Sequence, residues 1–294
     1  MTRRAWHKIA AATLGLAIIG GTGTWSAARR ARTHRDLLAQ LRPVSLANCQ
    51  FERFGEPNDG GYLLCGNLLA TAESAYSYGI AGYDGWGCDV SRRLNSPVHE
   101  YDCFDTRRPS CPGGRPSFHA ECLSGERTVD EGNRVFDTFA HQLVRNGDAR
   151  RRLIVKIDIE GAEWESLAAT PDSVLEGIDQ LTIEFHHPFE APLASVFRRL
   201  RIDQPLTPRL WMVDDRALNV ITRLKRFFHI AHVHFNNYTC TGDLSPLPAW
   251  AYEVLFVNRR IGVEDASRSG QAGSARALDA PNNPTAPDCQ ADFR

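Results

Sequence analysis

Leu153-Ile-Val-Lys-Ile-Asp-Ile-Glu-Gly-Ala-Glu-Trp-Glu165 is the stretch whose reading decides the fold. Leu153, Ile154, Val155, Ile157 and Ile159 form a short, β-branched apolar run of the kind found in a strand buried on both faces of a parallel sheet. Asp158 and Glu160 follow at its carboxyl end, where open α/β sheets bind their ligands. Gly161 lets the chain turn tightly there. Glu160, Glu163 and Glu165 suit the positive end of a helix, so the same charges also fit a plain strand-to-helix junction.

Outward from this strand, short apolar runs alternate with helix-like stretches. Strands are expected at Ala75–Ile80, Val98–Phe104, Ser117–Leu123 and Gln180–Phe185, with a final, possible antiparallel pair at Ile230–Phe235 and Tyr252–Val257. Helices are expected at Val90–Leu94, at Arg134–Arg145, from the Glu-rich turn to Ala169, and at Leu193–Arg201. Strands alternating with helices imply an α/β fold with a mostly parallel sheet covered on both faces.

Acids, histidines and amides collect at the strand ends. Tyr76-Ser-Tyr-Gly-Ile-Ala-Gly-Tyr-Asp-Gly-Trp-Gly87 opens a strand into a glycine-rich loop, the place where a doubly wound sheet cradles a cofactor. Asp102 ends the next strand, placed to accept from ribose hydroxyls. A strict GxGxxG is absent, which disfavours NAD and FAD. Ile183-Glu-Phe-His-His187 ends another strand. In His232-Val-His-Phe-Asn-Asn237, alternation puts His232, His234 and Asn236 on one face. A divalent metal on Asp158, Glu184 or His186 is conceivable, but no diagnostic ligand set is present and none is predicted. Asn58-Asp-Gly-Gly-Tyr62 is a strong turn signal.

Composition bounds the rest. The chain has 294 residues and a formal net charge of −1. The first 35 residues hold seven Arg/Lys and no acid, so the remainder carries a net −8. No basic run interleaved with aromatics points to nucleic acid. Residues 1–35 read as a signal or membrane anchor: Arg3, Arg4 and Lys8 precede an uncharged run from Ile9 to Ala28, long enough to cross a bilayer and ending in a small-residue cleavage signal. Anchoring in a membrane and export to a periplasm both follow from that pattern. Residues 36–47 read as a linker helix, 48–260 as the globular domain and 261–294 as a disordered tail, poor in large apolar residues. The eight cysteines contain no CxxC pair; they suit either disulfides, with one loop-closing bridge among Cys103, Cys111 and Cys122, or buried thiols. Spacing does not settle the connectivity.

With these pieces in order, residues 50–258 resemble class I S-adenosylmethionine-dependent methyltransferases, and among them the FkbM-like group and the methyltransferase-like protein 24 domain. The matching elements are Arg53–Leu63, Tyr76–Ile80, Val98–Asp102, Lys156-Ile-Asp-Ile-Glu-Gly-Ala-Glu163, Ile183–His186 and His232–Asn237. The resemblance implies a Rossmann-like, doubly wound sheet with an antiparallel last strand. It places Gly79, Ala81 and Gly82 at the methionine part of the donor, Asp102 at its ribose and the adenine near Glu121 and Cys122, and it makes the Asn58–Tyr62 turn a wall of the donor pocket as well as a turn. Asp158 stands beside the transferred methyl, with Glu160 and His186 as further catalytic candidates. Cys103 stands where a proline often follows the ribose-binding acid.

The implied function is O-methylation of a hydroxyl, on a sugar, glycan or other small acceptor, with S-adenosylmethionine as donor. Two other classes fit the same residues: a membrane-tethered binding domain that keeps the fold without catalysis, and a nucleotide-sugar-dependent transferase. Fold alone does not choose the acceptor, and oligomeric state is silent in the sequence.

Overall fold

A computed structural model describes residues 31–94, 96–187, 210–268 and 278–293. Residues 1–30 of the expected leader, and the helix expected at 193–201, lie outside these residues; 31–35, assigned to the leader, are helical, with Thr33 and His34 buried. No described helix is long and apolar enough to cross a membrane.

A helix over residues 31–40, α1, opens the described chain. The elements that follow are the hairpin β1 (Phe51–Gly55) and β2 (Gly61–Cys65), then β3 (Ser74–Tyr78), α2 (Gly85–Arg93), β4 (Val98–Tyr101), β5 (Ser117–His119) and β6 (Glu121–Leu123). Next come β7 (Thr128–Val129), β8 (Val135–Asp137), α3 (Phe139–Asn146), β9 (Leu153–Ile157), α4 (Glu163–Ala169) and α5 (Asp172–Gly177). β10 (Ile178–His186), α6 (Leu210–Leu224), β11 (Phe228–Phe235) and β12 (Ala251–Asn258) complete the order.

Seven strands form one mixed sheet in the order β11-β12-β10-β9-β3-β4-β5. β10, β9, β3, β4 and β5 run parallel, and β12 is antiparallel to both β10 and β11. This is the α/β, mostly parallel sheet expected, compatible with a Rossmann-like fold, and the 153–157 run sits in its middle. Alternation along the strands feeds two cores. Tyr76, Tyr78, Val155 and Ile157 point into one with α1, α3, α4 and α6. Ala75 and Ile154 point into the other, under the β1–β2 hairpin and α2.

Several expectations need correction. Arg134–Arg145 is not one helix: Val135–Asp137 is a strand of a small three-stranded sheet, and the helix begins only after the Thr138 cap, whose hydroxyl accepts from His141 N at 3.3 Å. The helical spacing misled because Val135 and Phe136 pair in the small sheet, while Phe139 and Leu143 pack into the main core from the helix that follows. Ser117–Leu123 is two strands belonging to different sheets. Residues 36–47 are no detached linker, since Leu37, Leu38 and Leu41 are buried in the main core.

The tail, 261–294, is not disordered where described. Cys289 is bonded to Cys240. Asn237 Nδ2 donates to Asn283 O at 2.9 Å, and Asn58 Nδ2 to Pro281 O at 2.8 Å. Composition failed here because a covalent bond, polar groups and a few apolar contacts such as Phe293 on Phe235 fix the segment without a large apolar area. All eight cysteines are paired: Cys49–Cys65, Cys88–Cys111, Cys103–Cys122 and Cys240–Cys289.

Candidate active site

The crevice forms where the parallel strands end. β9 ends into Asp158, β3 into Gly79, β4 into Asp102 and β10 at His186. Gly79 has φ +74°, and a Cβ there would stand 1.6 Å from the Asp158 carbonyl oxygen, so only glycine lets the two loops meet. Ala81 (φ 45°) and Glu160 (φ 56°) are non-glycine residues in the left-handed region, a conformation retained at a cost of about 1–3 kcal/mol that clusters at functional sites.

Two cavities of about 440 Å³ each open on this crevice and share Gly79, Ala81, Asp158 and Glu160. The first is mostly apolar, walled by Tyr101, Phe104, Leu123, Phe136 and Ile159, with Asp102 and Asp105 at one side. The second is polar, lined by Glu56, Asp59, Lys156, Glu184, His186 and Asn236 among others. The Cys103–Cys122 bond ties the end of β4 to β6, and Cys122 forms part of the first wall.

The acid–base groups are fixed by a dense network. Tyr62 Oη donates to Asp158 Oδ2 at 3.0 Å and lies 3.4 Å from Glu184 Oε2. Lys156 Nζ donates to the carbonyls of Tyr78 (3.1 Å) and Gly79 (2.7 Å) and stands 3.6 Å from Asp158 Oδ2. His186 Nδ1 sits 3.0 Å from Glu163 Oε1, which turns Nε2 toward Glu160 Oε2 (3.6 Å) and Asp158 Oδ1 (4.0 Å). Glu163 also accepts from the backbone amides of Ile159 and Gly161, so one buried carboxylate shapes the turn and orients the imidazole.

Burial opposes a charged His186. The hydrogen bond and charge of Glu163, with the charges of Glu184 and Asp158, outweigh it and carry its pKa up to about 10. Burial first, then the nearby charges of Asp158 and Glu253, push Glu184 well above the usual carboxylate range. Burial likewise raises Tyr62 far above an ordinary phenol. Asp158, Glu160 and His186 each offer one ligand atom within 4.8 Å of the others, so this trio has the reach of a cation site. The imidazolium of His186 already supplies positive charge at that point.

Of the residues singled out from the sequence, the structure gathers Asp158, Glu160, His186, Gly79, Ala81 and Asp102 on the crevice. Gly82 lines neither cavity. Glu121 also lines neither; its carboxylate is held by Arg145. Asp102 lines the first cavity, but its four acceptor positions are taken by the amides of Ile80, Ala81, Phe104 and Asp105. It therefore orders the loop around the cavity rather than offering free lone pairs to a ribose. His232 and His234 do point together, as alternation required, but at Asp279 of the C-terminal segment (3.3 and 2.9 Å), away from the crevice. Asn236 alone reaches the site, donating to Glu184 at 2.7 Å.

Sequence reasoning missed Lys156, Glu163, Phe104 and Phe136 as site residues, and it reached Tyr62 only as the end of a turn that the resemblance made a wall of the donor pocket. Phe136 was hidden by its assignment to a helix.

Compared with protein-family models, curated proteins and solved structures, the chain matches none.

Proposed function

We propose that this chain is a class I S-adenosylmethionine-dependent methyltransferase that methylates a hydroxyl of a sugar, glycan or other small acceptor. The observation that carries this reading is the pair of cavities, one apolar and one polar, meeting at Gly79–Ala81 and Asp158–Glu160. Methyl transfer is an in-line displacement: the nucleophile approaches opposite the leaving sulfur. Two compartments that share one wall suit two reactants meeting at one point, and such positioning supplies about 7–11 kcal/mol of barrier lowering.

In this reading Phe104, Phe136, Leu123 and Ile159 enclose the adenosyl part of the donor. The acceptor enters the polar cavity. As the acceptor oxygen bonds to the methyl carbon, the sulfonium S–CH3 bond breaks and the neutral thioether leaves with that electron pair. The hydroxyl proton goes to Asp158, the general base, within reach of the shared wall. Lys156 and Tyr62 hold Asp158 Oδ2 and leave Oδ1 toward the cavity and His186. His186, positively charged, keeps Glu160 and Asp158 in place. S-adenosylhomocysteine titrated calorimetrically into the wild-type protein and into Gly79→Ala tests this. Binding to the wild type that Gly79→Ala loses is expected; no binding to the wild type, or tighter binding of a nucleoside diphosphate sugar, removes the proposal.

One observation favours a second reading. With all eight cysteines in disulfides, the body suits an oxidising compartment. That fits an exported, membrane-tethered domain that binds a ligand in this crevice without transferring methyl groups. Binding of S-adenosylhomocysteine without turnover of any acceptor favours it.

A further inference from the structure

The second cavity has an unequal supply of donors and acceptors. Carboxylates accept hydrogen bonds and donate none when ionised, whereas ammonium groups only donate. Among the lining side chains, most donors are already engaged inside the protein; His186 Nε2, 3.6 Å from Glu160 Oε2, and the Tyr238 hydroxyl are those left. Lys156 Nζ serves two backbone carbonyls. Asn236 Nδ2 serves Glu184, Thr239 Oγ1 serves the carbonyl of Asn236, and the Tyr83 hydroxyl serves Glu56.

Acceptors remain open. Glu56 and Asp59 have no ion-pair partner among the described residues, and Glu160 meets only His186. Asp59 uses one oxygen, for Asn282 Nδ2 at 2.9 Å. The Glu160 side chain is 81% exposed. Two tyrosines line the same cavity with their rings in solvent, Tyr83 at 58% and Tyr238 at 60% exposure. Large exposed aromatics beside open carboxylates match a ligand that presents a cation and ring C–H groups, since a cation over a tyrosine face is attracted by its quadrupole. A phosphate or carboxylate ligand would find the cations Lys156 and His186 already facing Asp158 and Glu160, and the open carboxylates of Glu56 and Asp59 beside them.

Resting on the methyltransferase reading, we infer that the acceptor bears an ammonium group beside its hydroxyls, as a non-phosphorylated amino sugar or short amino-sugar oligomer does, and that Asp59, Glu160 and Glu56 receive it between Tyr83 and Tyr238. The cation is drawn to the rim, and its neighbouring hydroxyls extend toward Asp158.

Four probes are titrated in the presence and absence of S-adenosylhomocysteine: a glucosamine dimer, the same dimer N-acetylated, glucuronate and glucose 6-phosphate. The free-amine dimer is expected to bind at least about tenfold more tightly than the other three, which is one rim charge pair. Asp59→Asn with Glu160→Gln should weaken it on the order of tenfold, and Tyr238→Ala about threefold. Affinity for S-adenosylhomocysteine should stay within about twofold in the Tyr238→Ala variant. Equal binding of the N-acetylated dimer, tighter binding of either anion, or no binding of any probe overturns the inference. Amine binding with no S-adenosylhomocysteine binding leaves it standing while removing the methyl-transfer reading.

Discussion

The Tyr62 hydroxyl donates to Asp158 Oδ2 over 3.0 Å, joining the β1–β2 hairpin to the end of the central strand across 96 residues of chain. The same hydroxyl lies 3.4 Å from Glu184 Oε2. A phenol has one proton to donate, and the shorter contact gives it to Asp158, while Asn236 Nδ2 donates to Glu184 Oε1 at 2.7 Å. Burial, with the charges of Asp158 and Glu253, raises the Glu184 carboxyl above its usual range.

Tyr62→Phe therefore removes the donor to Asp158 and faces two carboxyl groups across an apolar ring. Under the proposed reaction, kcat falls about tenfold near neutrality, with KM for the donor little changed. An unchanged kcat would show that Tyr62 only packs.

Gly79→Ala brings a Cβ to 1.6 Å from the Asp158 carbonyl and forces alanine to φ +74°. The loops must part. Destabilisation of at least about 1 kcal/mol is expected from the backbone conformation alone, together with loss of S-adenosylhomocysteine affinity. Denaturant unfolding and calorimetry on one preparation measure both.

His186 makes stability depend on alkaline pH. Its pKa rises from 6.5 unfolded to about 10 folded. Between these values the native state holds a proton that the unfolded chain has released, so the stability it contributes declines with pH. That contribution is complete below pH 6.5, falls as pH climbs toward 10 and is gone above it. The melting temperature of wild type minus His186→Gln, measured from pH 6 to 10.5, should shrink across this window; a flat difference contradicts the assigned ion pairs with Glu163 and Asp158.

Cys103–Cys122 closes a loop with sequence separation 19 beside the apolar cavity. Replacing both by alanine should cost about 3 kcal/mol through the freed unfolded chain. Because Cys122 and Phe136 share the cavity wall, S-adenosylhomocysteine should also bind more weakly. Cys240–Cys289, which lines neither cavity, serves as the control: its loss should lower stability and leave that affinity unchanged.

The sequence by itself determined the central strand at 153–157, the acidic turn after it, the strand-end glycine loop and the existence of a last pair of strands, whose antiparallel direction the structure supplies. Each is legible because a strand's apolar period and a turn's glycine act over a few residues. It did not determine that Asp102 spends its lone pairs on amides, that Glu121 turns to Arg145, or that His232 and His234 clasp Asp279. Nor did it pair the cysteines or fold residues 278–293 back on the domain. Those outcomes depend on which distant groups come within hydrogen-bond or bonding distance, as Tyr62 does with Asp158 and Asn282 with Glu253. Only the packed chain sets those distances, because a side chain's partner is chosen by the sheet order and loop paths that bring it near, and local spacing carries no record of them.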